Sequence, residues 1–287
     1  MRPCLLRPPG AASTDMPVDA DLRKLDIDIP SQPEPLMRLS LLMADEQPNM
    51  AALAELIESD MALAAAVLKA VNSSLYGLSG RVQAVQQSIT YLGMREVAGI
   101  ALEIGLRAVF PPAPELDLLW RRAARRGLVM GRLARMMQMD AWAAHSAGLF
   151  EECGKAVLFR HAQDHYRAML RAATRDVELA ELELAAFGVS HDALGAALCE
   201  SWGVHAGAVA SVRHHVSAQA TQTLPPALER RGILALSLIA HAITDDPDAI
   251  DERTVHIALQ CDIDSQGLVR AARRVQEQLA EAAARGR

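Results

Sequence analysis

Aromatic side chains are scarce in this chain of 287 residues: four Phe, three Trp and three Tyr make up 3% of it. Hydrophobic residues nevertheless reach 51%, so Ala, Leu, Val, Ile and Met must fill the interior. Ala, Leu and Met are strong helix formers, and the aromatic or β-branched runs that specify strands are few, so the composition predicts an all-α fold. Lysine is nearly missing too, present only as Lys24, Lys69 and Lys155, which makes Arg the default cation. The formal net charge of −6 argues against nucleic-acid binding, which needs a cationic footprint to release counterions from phosphates. Cys4, Cys153, Cys199 and Cys261 stand far apart with no C-x-x-C pair. That excludes a zinc knuckle or a disulfide framework and predicts reduced thiols in the cytoplasm. No apolar run approaches the roughly 20 residues that cross a bilayer; the longest, Met61 to Leu68, is of helix-core length. Nucleotide-cradling Gly-rich loops, heptad runs and internal repeats are missing as well. The N-terminal half lacks a Ser-His-Asp order, clustered carboxylates and an activated cysteine, so no catalytic residue is assigned.

What is present is one amphipathic segment after another. Residues 1–25 read as a disordered leader, with Met16 an alternative start. Helices are expected at 33–44, then at 50–58 with Asn49 as N-cap, then after Asp60, where Leu63, Val67 and Val71 recur at four-residue spacing. Further helices are expected at 85–92 and 95–109. Pro111, Pro112 and Pro114 mark the clearest internal boundary, because consecutive prolines cannot continue a helix. It divides an N-terminal bundle, 26–114, from a second half, 115–287, with helices at 115–137, 141–150, 154–174, 178–186, 190–202, 204–215, 226–244, 252–260 and 265–284.

Four stretches carry a resemblance. Leu53 to Leu63 followed by Val71-Asn72-Ser73-Ser74-Leu75-Tyr76-Gly77-Leu78, then Ser88 to Gly93, then Gly148-Leu149-Phe150-Glu151-Glu152-Cys153-Gly154-Lys155, then Phe187 to His191 with Trp202-Gly203 and His214-His215 fall in one order. Over roughly residues 27 to 245 the chain resembles the HDOD family of bacterial signalling proteins, degenerate relatives of HD and HD-GYP phosphohydrolases. The resemblance implies a multi-helix N-terminal bundle packed on an HD-like helical half.

It also locates a site whose chemistry has changed. An HD hydrolase holds a divalent ion with a His, a His-Asp pair and a later Asp. The resemblance places these at Arg122, Glu151-Glu152 and His241. Arginine has donors only and a fixed charge, so it is no ligand; at 4 Å it repels a unit charge by about 4 kcal/mol in an effective dielectric of 20, and a divalent ion twice as much. Hydrolysis at the inherited position is therefore not expected, and neither a cofactor nor a bound metal is. Two readings stand open for the replacement: an ion pair between Arg122 and Glu151 or Glu152 that cross-links two helices, or three solvated charges. His191, His214 and His215, with His241, are candidates for a displaced metal site, against capping or core roles.

Two features concern recognition. Arg121, Arg125, Arg132 and Arg135 share a narrow stripe at 100° per residue. That is either a phosphate- or partner-binding face or a solvated one. Asn72, Ser73, Tyr76 and Gly77, the family's turn, read as a helix end in which Gly77 takes a positive φ. The expectation is a non-catalytic signalling module that binds a protein of two-component, cyclic-dinucleotide or motility systems, or a phosphate-bearing ligand. Input and output segments are expected on separate molecules. The alternative is a divergent metal-dependent phosphohydrolase.

Overall fold

The computed structural model describes residues 26–285 except 46, 79, 229 and 230; the expected leader lies outside them. Every regular element among the described residues is helical. The first five are α1 (Glu34–Ala44), α2 (Met50–Glu58), α3 (Met61–Val71), α4 (Val85–Leu92) and α5 (Met94–Ala108). Asn49 Oδ1 accepts from the Ala51 amide, and Asp60 Oδ1 accepts from those of Ala62 and Leu63, satisfying first-turn donors that a helix leaves unpaired. The long α6 (Pro114–Met136) begins on the last proline of the boundary, where a missing amide costs nothing. Then follow α7 (Ala141–Phe150), α8 (Cys153–His161), α9 (Gln163–Ala172), α10 (Asp176–Phe187), α11 (His191–Ser201), α12 (Ala206–Thr221), α13 (Gly232–Asp245), α14 (Ile250–Cys261) and α15 (Ser265–Arg285).

Three expectations need correction. The single helix at 154–174 is two, broken at Ala162 (φ −143°, ψ 67°). No breaker residue marks the place; the bend turns Tyr166 and Met169 into the core, so tertiary burial overrides propensity. The helix expected at 204–215 runs on to Thr221, and the one expected from 226 starts only at Gly232.

The proline boundary does not divide the interior. One apolar cluster joins Leu53, Val67, Ile100 and Trp120 to Phe150, Phe159 and Leu198, and so crosses from the N-terminal bundle into the second half. A second joins Met130 and Leu133 of α6 to Leu236, Ile239, Leu268 and Val275. Tyr76 packs against both. Its turn is closed by Asn72, whose Nδ2 donates to the carbonyls of Leu68 and Val82 while Oδ1 accepts from the Val82 amide. Gly77 has φ +69° and lies against Ala282 of α15. Among the described residues no single helix is long and apolar enough to cross a membrane.

Candidate functional site

Glu151 and Glu152 form the kink between α7 and α8, and a glycine on each side lets other helices reach it. A Cβ on Gly148 would stand 2.7 Å from the Gly127 nitrogen, so only glycine lets α7 lie this close to α6. A Cβ on Gly154 would stand 1.8 Å from the His191 carbonyl oxygen, so α8 meets the start of α11 backbone to backbone. These approaches bring Arg122 and Arg126, one turn apart on α6, onto the two carboxylates.

The carboxylates are wholly buried and saturated with donors. Arg122 Nε and Nη2 both lie 3.3 Å from Glu152, one on each oxygen. Arg126 Nη1 donates to Glu152 at 3.1 Å and stands 3.0 Å from Glu151. Lys155 Nζ, itself buried, reaches Glu152 at 2.9 Å and Asp176 at 2.8 Å. Ser237 donates its hydroxyl to Glu151, and His241 Nε2 lies 3.3 Å from it. Burial works against ionising Glu151, but Arg126 and the His241 contact outweigh it and hold the carboxyl down to about 2. Burial opposes ionisation of Glu152 too, and Lys155, Arg126 and Arg122 hold it well below the usual range. Arg126 and Lys155 respond in the opposite sense: desolvation lowers them, and the carboxylates raise them further. The ion of an HD hydrolase does not fit these residues. Arg122 and Arg126 offer no lone pair, and a cation would have to displace them from the oxygens they hold.

Of the residues singled out from sequence, Arg122, Glu151, Glu152 and His241 are thus together. His241 is not with His191 and His215: it bonds Gln219 and Asp245 as well as Glu151. His214, half-buried, belongs to neither group. His191 and His215 are fully buried and lie ring to ring, with centroids 5.6 Å apart. Missed were Arg126, Lys155, Asp176 and Glu183. Arg126 was accessible in principle, being four residues from Arg122 on the same helix face; Lys155 stood inside the quoted motif. The arginine stripe divides. Arg132 grips Glu96 of α5 through two bonds of 3.0 Å and Arg135 adds a third at 3.4 Å, while Arg121 and Arg125 face solvent. A buried acid across the helix interface, invisible to a helical wheel, takes half of the stripe.

A cavity of about 380 Å³ opens over the charge cluster, lined by Arg122, Arg126, Arg175, Gln219, His241 and Asp245 among others. A second, of about 640 Å³, lies between α1, α5 and α7 and is walled by Trp142, Phe150 and Trp202. Trp202 Nε1 donates to the Pro30 carbonyl there, tying the N-terminal segment to the end of α11.

The family model of the HDOD domain matches residues 29–218. The chain belongs to the HDOD family. This HDOD chain is 26% identical over 193 residues to a protein of Treponema pallidum (strain Nichols), a match covering 66% of the chain and 37% of that relative. It is 40% identical over 55 residues to YuxH of Bacillus subtilis (strain 168), 19% of the chain and 13% of YuxH. The chain therefore spans well under half the length of these two relatives. Among solved structures it is similar to one from Marinobacter aquaeolei VT8 named for signal transduction (TM-score 0.69, 20% identity, 91% of this chain and 60% of that one). It is also similar to one from Shewanella amazonensis SB2B named for phosphohydrolase activity (0.65, 19%, 93% and 97%). An HDOD domain protein of Geobacter sulfurreducens is comparable (0.64, 17%, 90% and 94%). At such identities these structures support the HDOD helical fold alone.

Proposed function

We propose that this HDOD chain is a non-catalytic module of signal transduction that recognises a ligand or partner at the cavity above Glu151 and Glu152. The observation that carries the reading is the saturation of both carboxylates by Arg126, Arg122 and Lys155, at the place where a hydrolase would need open ligands for an ion. The cavity rim supports recognition of an anion. The Arg122 side chain remains 43% exposed although its fork rests on Glu152, and Arg175, 71% exposed, stands on the same rim. Guanidinium forks match phosphate oxygens, so a phosphate-bearing messenger such as a cyclic dinucleotide is the favoured occupant. A protein of a two-component or motility system is the alternative, docking along the groove walled by Trp142 and Trp202.

The test sets binding against turnover. Cyclic dinucleotides are titrated calorimetrically into the purified chain and into Arg122→Ala/Arg175→Ala, and product release is followed with Mn²⁺, Fe²⁺ or Ni²⁺ added. Salt-sensitive binding that the double variant loses, without product, is expected. Metal-dependent cleavage would overturn the reading in favour of a phosphohydrolase.

A further inference from the structure

Next to the charge cluster, two imidazoles are prepared in a way the ion pairs do not explain. His215 Nδ1 lies 2.7 Å from the Val212 carbonyl oxygen, which can only accept, so this nitrogen carries the proton. His191 Nδ1 lies 2.7 Å from Glu183 Oε2, an oxygen that also accepts from the His191 amide. Glu183 is itself fully buried and accepts from the Tyr166 hydroxyl through its other oxygen. With both Nδ1 atoms facing acceptors, the Nε2 of each ring is the atom left to offer a lone pair to an ion. Both Nε2 atoms are buried and have no hydrogen-bond partner. One ligand atom from each histidine and one from Asp176 lie within 4.8 Å of one another. Lys155 occupies Asp176 Oδ1, which leaves Oδ2.

We infer that His191, His215 and Asp176 form a site for a divalent transition metal ion that clasps α10, α11 and α12 together. Two imidazole nitrogens and one carboxylate oxygen suit zinc, cobalt or iron at bond lengths of about 2.0–2.2 Å. The second shell is of the kind metal-binding histidines use, one ring held by a buried carboxylate and the other by a backbone carbonyl. Lys155 and Arg126 oppose a nearby cation. Four carboxylates, Glu151, Glu152, Asp176 and Glu183, outnumber the three bases Arg122, Arg126 and Lys155, so the surroundings keep a formal negative charge. Asp176, whose side chain is 26% exposed, lines the cavity and gives an ion its way in. Both histidines are closed to solvent, and the ion fastens the three helices that carry its ligands. Asp176 has no part in the family motif; the expectation of no bound metal rested on Arg122 at a ligand position and on capping or core roles for the histidines.

The experiment uses the full chain, stripped with chelator and titrated with Co²⁺ and Zn²⁺. One equivalent of Co²⁺ should bind with visible d–d absorption, and Zn²⁺ should raise the thermal midpoint. His191→Ala, His215→Ala and Asp176→Asn should each weaken binding at least about tenfold, and His214→Ala should leave it unchanged. X-ray absorption of the Zn²⁺-loaded wild type should show imidazole scattering, a readout that survives if the histidine variants fail to fold. Folded wild type that binds neither ion at micromolar concentration, or binding without imidazole ligation, would overturn the site. Nucleotide cleavage by the loaded protein would instead overturn the non-catalytic reading and leave the site standing.

Discussion

Arg126 illustrates how unevenly the charge cluster depends on its members. Its side chain is 8% exposed and serves both Glu151 and Glu152, so Arg126→Met leaves two carboxylates buried with too few partners. Removing one partner of a buried pair costs about 3–5 kcal/mol; urea unfolding of the variant is expected to show a loss of that size. Arg122→Ala is expected to cost about 1 kcal/mol or less, because its side chain is 43% exposed and Arg126 and Lys155 still hold Glu152. Acidity separates two further residues. Glu151 is held near 2 against an ordinary 4.5. As the pH falls the unfolded chain takes up this proton first, so the stability from Glu151 is complete above about 4.5 and is lost on the way down to about 2. Glu103 runs the other way, since burial lifts it to about 7 although Arg107 pulls it down. The folded chain keeps that proton where the unfolded chain has released it, so stability falls as pH rises from about 4.5 to about 7. Glu103→Gln should therefore raise the thermal midpoint at about pH 8 and change it little at about pH 4.

At the scale of elements, two glycines set the helix crossings on which the site depends. Gly148→Ala and Gly154→Ala each place a methyl group against backbone that cannot give way. Overpacking of this kind typically costs about 1–3 kcal/mol, and circular-dichroism melts should register it for both variants. Most helices could be read from the sequence because their caps and breakers are local: Asn49, Asp60, the proline run and Pro114 each act within one turn. The Ala162 break could not, since its cause is the burial of Tyr166 from a neighbouring helix. The same limit hid Glu96, which lies on α5 and neutralises Arg132 of α6 across the interface. A periodicity argument sees one helix at a time.

For the molecule as a whole, the core runs through the proline boundary, so Leu53 and Phe159 share one apolar cluster although the boundary separates them in sequence. The position of the candidate site was legible because Glu151-Glu152 sits inside a recognisable motif with its flanking glycines. Its content was only half legible. Arg122 and His241 fall on family positions and Lys155 stands inside the motif, whereas Asp176 and Glu183 join the site through folding alone. The account rests on basic side chains, and not an ion, balancing Glu151 and Glu152. Anomalous diffraction from crystals grown with excess Mn²⁺ tests this most directly. It should show no peak within about 2.0–2.2 Å of either carboxylate, with Arg126 still bonded to both. A peak bridging Glu151 and Glu152, with the guanidinium displaced, would contradict it.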